Sequence, residues 1–166
     1  MKAGLCVYPG SFDPVTSGHL DIITRASQLF PRVVVAVLNN PEKRGCFSIH
    51  QRVALLEKAC APLPNIEIDC FGGLLVEYMK KRKANIVIRG LRAVTDFENE
   101  FQMAQLNRVM APQVETLFLM TAPEHAYISS SAVRQIAQFG GDIRPFVPSA
   151  VFENLTQAFS VLQSKE

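Results

Sequence analysis

Apolar residues cluster into five runs of strand length, and the segments between the runs carry apolar positions at helical spacing. The runs are rich in Val, Ile, Leu and Phe and mostly do not alternate with polar residues. This pattern is typical of strands buried on both faces of a parallel sheet. The predicted strands are Gly4–Tyr8, Arg32–Leu38, Ile66–Phe71, Asn85–Arg89 and Glu115–Met120.

Helix signals fill the intervals between these strands. Ser48 and Gln51 have the spacing of a capping box, and Thr95 or Asp96 can cap a later helix. Pro148 fits the first turn of the last helix. The predicted helices cover residues 20–30, 48–60, 74–83, 95–110, 130–139 and 148–162. Alternating strands and helices predict an α/β fold, a Rossmann-like doubly wound five-stranded parallel sheet, in one domain of residues 1–166 with a C-terminal helix.

Composition narrows the function classes. The chain has 166 residues, 48% apolar and 19% charged, with a net charge of +2, which gives no nucleic-acid surface on charge alone. No apolar run approaches the roughly 18 residues of a membrane span, and the N-terminus lacks the pattern of a signal peptide. The four cysteines show no C-x-x-C spacing and fit buried thiols in a reducing compartment. We therefore expect a cytoplasmic protein without nucleic-acid or membrane partners.

Ligands in doubly wound sheets bind beyond the carboxyl ends of the strands, so the loops that follow strands are the candidates. The first such loop reads P-G-S-F-D-P-V-T-S-G-H. Ser11 offers a hydroxyl, Thr16 or Ser17 can cap a helix, and Gly18 and His19 fall in its first turn. Free N–H groups there favour anions, and a histidine could donate to a phosphate. Taken alone, the isolated histidine favours a surface or capping residue.

The loop after the fourth strand reads I-R-G-L-R and brings two arginines to the rim of the sheet. The guanidinium forks of Arg89 and Arg92 match the geometry of phosphate oxygens. Ion pairs with Asp96 and Glu98 are the structural alternative. Both interpretations remain open on the sequence.

Two further loops add weaker signals. Lys43 and Arg44 follow the second strand, where cations are usually just solvated. Three consecutive serines, Ser129–Ser131, open a helix with Arg134 one turn later, which fits either a phosphate cradle or a plain cap. No metal-binding or nucleophilic motif is apparent at the rim. If such a site transfers a group to an acceptor that is itself a phosphate, the acceptor is already an anion and no general base is needed. Catalysis then reduces to holding anionic groups in line and neutralising their charge.

Several of these stretches resemble one family. T-S-G-H, residues 16–19, resembles the (H/T)-x-G-H signature of nucleotidylyltransferases, and I-S-S-S-A-V-R, residues 128–134, is similar to their second signature. Y-P-G-S-F-D-P, N-P-E-K and I-R-G-L-R-A-V-T-D-F-E-N-E narrow the resemblance to bacterial phosphopantetheine adenylyltransferases. The alternatives are another nucleotidylyltransferase, such as a nicotinamide mononucleotide adenylyltransferase or a cytidylyltransferase, or a nucleotide sensor without catalysis.

The resemblance implies transfer of the adenylyl group of ATP to 4′-phosphopantetheine, giving dephospho-CoA and pyrophosphate, in the penultimate step of coenzyme A synthesis. It also implies Mg²⁺ held mainly by the ATP phosphates with no metal ligand from the protein, a cytoplasmic homohexamer, and feedback inhibition by coenzyme A. The implied catalytic residues are His19, Lys43 and Arg92. The implied phosphopantetheine contacts are Ser11, Lys43, Leu75 and Arg89. The implied ATP contacts are Ser11, Phe12, His19, Gly90, Leu91, Arg92, Glu100, His125, Ala126, Tyr127, Ile128, Ser129, Ser130 and Ser131.

Overall fold

Five parallel strands form one sheet in the computed structural model, which describes residues 4–39 and 45–163, without the side chains of residues 94, 95, 162 and 163. The strand order is β3-β2-β1-β4-β5, so the chain starts in the middle of the sheet and winds to both edges. All four ladders are parallel. The strands are β1 (Cys6–Gly10), β2 (Val33–Asn39), β3 (Ile66–Gly72), β4 (Ile86–Leu91) and β5 (Glu115–Met120).

Helices cover both faces of the sheet, which confirms the doubly wound α/β fold. In the described part of the chain they are α1 (Ser17–Leu29), α2 (Ile49–Cys60), α3 (Leu75–Arg82), α4 (Val94–Met110), α5 (Ser130–Gln138) and α6 (Phe152–Gln163). None of the helices in the described ranges has the length and apolar character to cross a membrane.

The core has two layers because successive strand residues point to opposite faces. Val33 and Val35 of β2 pack on one face with residues of α1, α2, α5 and α6. Val34 packs on the other face with residues of α3. Residues 33–37 are all fully buried, which explains why their sequence is a continuous apolar run. Of the cysteines, Cys70 departs from the expectation of a buried thiol and is exposed.

Most predicted element boundaries lie within two residues of the observed ones. Ser48 and Gln51 form the predicted capping box, with the Ser48 side chain accepting from the Gln51 N–H at 3.2 Å. The predicted cap of α4 is wrong. That helix begins at Val94 after Ala93, without a side-chain cap, so Thr95 and Asp96 lie inside it. The last helix begins at Phe152, because a short 3₁₀ turn over residues 149–151 follows Pro148.

Candidate active site

A cleft opens at the carboxyl edge of the sheet, between β1 and β4, where the chain winds away to opposite faces. The ladder between these strands joins Cys6 to Ile86 and Val7 to Val87. Beyond it lies a polar cavity of about 370 Å³, walled by the loops after β1, β4 and β5 and by the first turns of α1 and α5. This is the place where doubly wound folds bind ligands.

His19 lines the polar cavity and also closes the start of α1. The Thr16 hydroxyl accepts from the His19 backbone N–H at 3.3 Å, and His19 Nδ1 accepts from the Thr16 backbone N–H at 3.0 Å. The two residues thus form a capping box in which the imidazole takes the usual place of a glutamate or glutamine. The capping alternative for His19 is confirmed, and it coexists with a place in the cavity.

The capping box also fixes the protonation of the ring. Because Nδ1 accepts a hydrogen bond from a backbone N–H, the neutral imidazole of His19 must carry its proton on Nε2. Burial, together with the positive charges of Arg92 and Arg89, lowers the pKa of His19 to about 4. At neutral pH the ring is therefore an uncharged hydrogen-bond donor, and its Nε2–H makes no hydrogen bond to a residue that the structure describes.

The two rim arginines are held by carboxylates of α4. Arg89 pairs with Glu100 through two hydrogen bonds of 2.5 Å, and its remaining Nη1 donates to the Pro9 carbonyl at 2.8 Å. Arg92 pairs with Asp96 at 3.1 Å. The predicted ion pair with Asp96 is thus confirmed. The predicted pair with Glu98 is wrong, because the Arg89 guanidinium instead meets Glu100, whose carboxylate lies on the side of α4 that faces the cavity.

These two ion pairs differ in how firmly they hold. The Arg92 and Asp96 side chains are 37% and 29% exposed, which makes their pair weak and easily exchanged for a phosphate. The Arg89 and Glu100 side chains are 31% and 20% exposed and their pair is bidentate. Arg92 also donates to the carbonyl of Ile128 at 3.0 Å, which ties the loop after β4 to the loop after β5.

The three serines at the start of α5 line the polar cavity but have different partners. Ser129 is the cap, and its hydroxyl accepts from the Ala132 N–H at 3.1 Å. The Ser130 hydroxyl donates to the carbonyl of Pro14 at 2.7 Å. Ser131 shares a 3.0 Å hydrogen bond with Ser129. One serine is therefore a plain cap, while the first turn as a whole presents N–H groups and hydroxyls to the cavity.

A buried ion pair joins the first loop to the loop before α2. The Asp13 carboxylate accepts from the N–H groups of Cys46 and Phe47, each at 2.8 Å, and lies 3.3 Å from Arg52 Nε. Asp13 and Arg52 are both 7% exposed. Arg134, which lies on α5, donates a hydrogen bond to the backbone carbonyl of Asp13. This arrangement, which we call the Asp13 clamp, holds three segments around the cavity.

A second, apolar cavity of about 400 Å³ adjoins the polar one. Both cavities are lined by Ser11, Arg89 and Glu100. The walls beyond this shared boundary are mostly apolar and come from β2, β3, β4, α4 and the start of α3. The large apolar side chains in these walls are those of Leu38, Phe71, Leu74, Leu75, Val87, Met103 and Met110. Together the cavities form a continuous site with a charged half and an apolar half.

Asn107 also lines the apolar cavity and was missed by the sequence reasoning. It is 6% exposed, and its carboxamide makes no hydrogen bond to a residue that the structure describes. The signal was present, because Asn107 lies seven residues after Glu100 and therefore on the same face of α4. The Asp13 clamp was missed as well, since nothing in the sequence links Asp13 to Arg52.

Comparisons with known proteins agree with this geometry. The family model described as cytidylyltransferase-like matches residues 7–136. A protein named phosphopantetheine adenylyltransferase from Clostridium perfringens is 53% identical over 165 residues, covering 99% of each chain. Another of that name, from Caldanaerobacter subterraneus, is 56% identical over 155 residues, covering 93% of this chain and 97% of the relative. The chain belongs to the phosphopantetheine adenylyltransferase family, within the cytidylyltransferase-like proteins.

More distant solved structures share the fold of this phosphopantetheine adenylyltransferase family member. A bifunctional NMN adenylyltransferase/ADP ribose pyrophosphatase from Francisella tularensis matches with a TM-score of 0.74 at 15% identity, over 98% of this chain and 53% of the other. A putative nicotinate-nucleotide adenylyltransferase from Vibrio parahaemolyticus gives 0.66 at 17% identity, over 91% and 97%. At these identities the likeness concerns the fold alone.

The structure brings most of the site residues expected of this family to the two cavities. Leu75 lines the apolar cavity, whereas Ser11, Phe12, His19, Arg89, Gly90, Arg92, Glu100, Ile128, Ser129, Ser130 and Ser131 line the polar one. Leu91 is buried beside it, and His125, Ala126 and Tyr127 lie outside its walls. Lys43 falls outside the described residues. The individual roles of all these residues stay predictions.

Proposed function

We propose that the chain transfers the adenylyl group of ATP to 4′-phosphopantetheine, giving dephospho-CoA and pyrophosphate. The observation that carries this proposal is the junction of a polar and an apolar cavity at Ser11, Arg89 and Glu100. The acceptor is a phosphate on a long, mostly apolar arm, so it needs such a composite site. The names of the relatives at 53% and 56% identity support the same reaction.

The acceptor fits the distances along α4. Its phosphate would lie at the shared boundary, beside Ser11 and Arg89, and its arm would extend past Leu75 into the apolar cavity. Glu100 and Asn107 are separated by about 10 Å along the helix axis. The roughly nine bonds from the acceptor phosphorus to its second amide also span about 10 Å when extended. The Asn107 carboxamide would then pair with that amide.

ATP would occupy the polar cavity. Arg92 and the first turn of α5, with Ser129–Ser131, would hold the β- and γ-phosphates, because both present donors to the same space. Phe12 and Gly90 belong to the walls of this cavity. Glu100, Leu91 and residues 125–127 are expected ATP contacts, and Lys43 is an expected catalytic residue and phosphopantetheine contact.

The reaction would proceed by direct in-line displacement without a covalent enzyme intermediate. An oxygen of the acceptor phosphate attacks the α-phosphorus and forms the new P–O bond. The bond to the β-phosphate breaks, and its electron pair leaves with pyrophosphate. His19 would donate its Nε2–H to an oxygen of the α-phosphate, where negative charge is redistributed in the transition state. The acceptor is already an anion, so no residue needs to remove a proton.

A magnesium ion would be held mainly by the phosphates of ATP. In the described ranges, no group of three or more His, Cys, Asp and Glu side chains could hold a metal ion. The carboxylates at the polar cavity, Asp96 and Glu100, are paired with arginines. With these carboxylates engaged, the site fits a magnesium ion whose ligands are mainly phosphate oxygens of ATP and water molecules. Such an ion would offset phosphate charge.

We further propose a cytoplasmic homohexamer that is inhibited by coenzyme A. Helix α4 and strand β5 expose large apolar side chains, among them Phe101, Leu106 and Met120 at 47%, 49% and 60%. Such a surface favours association between copies. Coenzyme A carries both a pantetheine arm and an adenine nucleotide, so it could occupy both cavities. Light scattering, and inhibition kinetics with coenzyme A, test these two points.

The reaction is tested by mixing the purified protein with ATP, Mg²⁺ and 4′-phosphopantetheine and measuring pyrophosphate release and product mass. We expect dephospho-CoA and pyrophosphate in equal amounts. CTP in place of ATP, and nicotinamide mononucleotide in place of the acceptor, are the controls. Preference for either control would assign the chain to another nucleotidylyltransferase, and ATP binding without turnover would favour a nucleotide sensor.

A further inference from the structure

Tyr8 is a buried tyrosine of β1 that the sequence reasoning assigned to no chemical role. It is 6% exposed, and it lines the polar cavity on the sheet face covered by α1. Its ring makes an edge contact with Phe12, with the ring centroids 5.4 Å apart. Phe12 in turn contacts the His19 ring, at 5.0 Å. Phe12 therefore connects the tyrosine ring to the ring of the candidate catalytic histidine.

The position of the Tyr8 hydroxyl follows from its neighbour on β4. A Cβ added to Gly90 would lie 3.5 Å from Tyr8 Oη, so the hydroxyl reaches the backbone between Arg89 and Arg92. The charges of Arg89 and Arg92 lower the pKa of this hydroxyl, and those of Glu100 and Asp21 raise it, so all four groups lie near it. It makes no hydrogen bond to any residue within the described ranges. Buried tyrosine hydroxyls normally have a partner, so this one is a donor left open toward the cavity.

The hydroxyl keeps its proton at physiological pH. Burial raises the pKa of Tyr8 well above its usual range, and the opposing effect of Arg89 is smaller. The guanidinium groups of Arg89 and Arg92 already face Glu100 and Asp96. A neutral O–H in surroundings of low dielectric forms a strong hydrogen bond to an anion.

We propose that Tyr8 is a further catalytic residue, whose hydroxyl donates to a non-bridging oxygen of the phosphate held between Arg89 and Arg92. This inference rests on the proposed function, in which the α-phosphate of ATP lies between the acceptor phosphate at Arg89 and the β- and γ-phosphates at Arg92. The acceptor oxygen forms the new P–O bond and pyrophosphate leaves with the electron pair of the broken one. Tyr8 keeps its own proton throughout and stabilises the charge on the phosphoryl oxygen.

Tyr8→Phe tests this role cleanly, because it deletes the hydroxyl and keeps the ring contact with Phe12. We expect kcat/KM to fall about 10- to 100-fold, the range for a hydrogen bond to a charged group, with an unchanged unfolding midpoint. We also expect weaker binding of ATP by calorimetry. Tyr78→Phe is the matched control, since it deletes a hydroxyl that donates to Asp69 at 2.6 Å in the other core layer. It should keep full activity.

The proposal is overturned if Tyr8→Phe retains both kcat/KM and ATP affinity within about twofold of wild type. A loss of activity that matches the fraction of unfolded protein would overturn it too. The proposed function is tested separately by wild-type pyrophosphate release. Should the wild type fail with 4′-phosphopantetheine, the ATP affinities of wild type and Tyr8→Phe, measured without any acceptor, decide the role of Tyr8 alone.

Discussion

The polar and apolar cavities share a wall, yet they are built in different ways. The polar cavity collects charged and hydroxyl side chains from loops that follow β1, β4 and β5, and ion pairs hold its arginines. The apolar cavity is a groove beside α4, lined mainly by aliphatic, methionine and aromatic side chains. Fixed donors aimed at the reacting group act mainly in the transition state, whereas an apolar wall that binds the ground state and the transition state equally changes KM and leaves kcat unchanged. The comparison therefore predicts that the polar half controls kcat and the apolar half controls KM for the acceptor.

Removal of the His19 imidazole is the strongest way to break the polar half. We expect His19→Ala to lower kcat by several orders of magnitude, about 10³-fold or more, because a fixed donor to the transferring group is lost. Fold and ATP binding should be largely retained. Steady-state kinetics, circular dichroism and calorimetry measure these quantities. His50→Ala, on the exposed side of α2, is the control, and near-normal turnover of His19→Ala would remove the assigned role.

The Asp13 clamp tests whether the polar half is held together by its buried ion pair. Asp13→Ala leaves Arg52 and two backbone N–H groups without their buried partner. We expect the free energy of unfolding to fall by about 3–5 kcal/mol, measured by urea denaturation. Asp142→Ala removes an exposed carboxylate that pairs with Arg144 and should leave the free energy of unfolding close to that of wild type. Equal effects of the two substitutions would contradict the clamp.

A substitution of Asn107 tests whether the apolar cavity binds the acceptor. Asn107→Leu keeps the size of the side chain and removes the amide, so we expect KM for 4′-phosphopantetheine to rise about 3- to 10-fold. The kcat value and KM for ATP should stay close to wild type. Met103→Leu, a volume-conserving change in the same wall, is the control. A change confined to kcat would mean that Asn107 acts on the chemistry rather than on the acceptor.

The smallest expected effect is that of pH on His19. Its pKa of about 4, lowered from 6.5, keeps the ring neutral between about pH 6 and 8, so His19 adds no inflection to kcat in that range. Below pH 6.5 the unfolded chain takes up the proton first, and stability conferred by neutral His19 is lost as the pH falls toward 4. Histidine NMR shifts during an acid titration measure this directly. Protonation of His19 near pH 6.5 would contradict a buried, neutral ring beside Arg92 and Arg89.

The sequence predicted the sheet well because burial on both faces of a strand leaves a continuous apolar run, as at residues 33–37. It also predicted the capping box of α2, which depends on local spacing. It missed the start of α4, where the helix begins without a side-chain cap and Asp96 pairs with Arg92 instead. A choice between capping and pairing depends on tertiary position, which local spacing does not contain.

The sequence predicted the phosphate-binding loops of the site, but it did not predict which side chains pair with one another there. Arg89 and Arg92 were expected at the rim, but the partner of Arg89 is Glu100, which only the packing of α4 on the sheet brings within reach. The Asp13 clamp joins residues 39 positions apart in the chain, Asp13 and Arg52. The apolar cavity could not be foreseen, because its walls come from segments whose apolar residues are indistinguishable from core residues.

The most direct test of these separate roles measures kcat and KM for 4′-phosphopantetheine, propyl phosphate and nicotinamide mononucleotide, with ATP held saturating. The account predicts pyrophosphate release with 4′-phosphopantetheine, and a loss in kcat/KM of about 10³-fold or more with propyl phosphate that lies mainly in KM. Propyl phosphate reaches the polar half but leaves the apolar cavity empty. Equal values for propyl phosphate and 4′-phosphopantetheine, or a higher value for the mononucleotide, would contradict it.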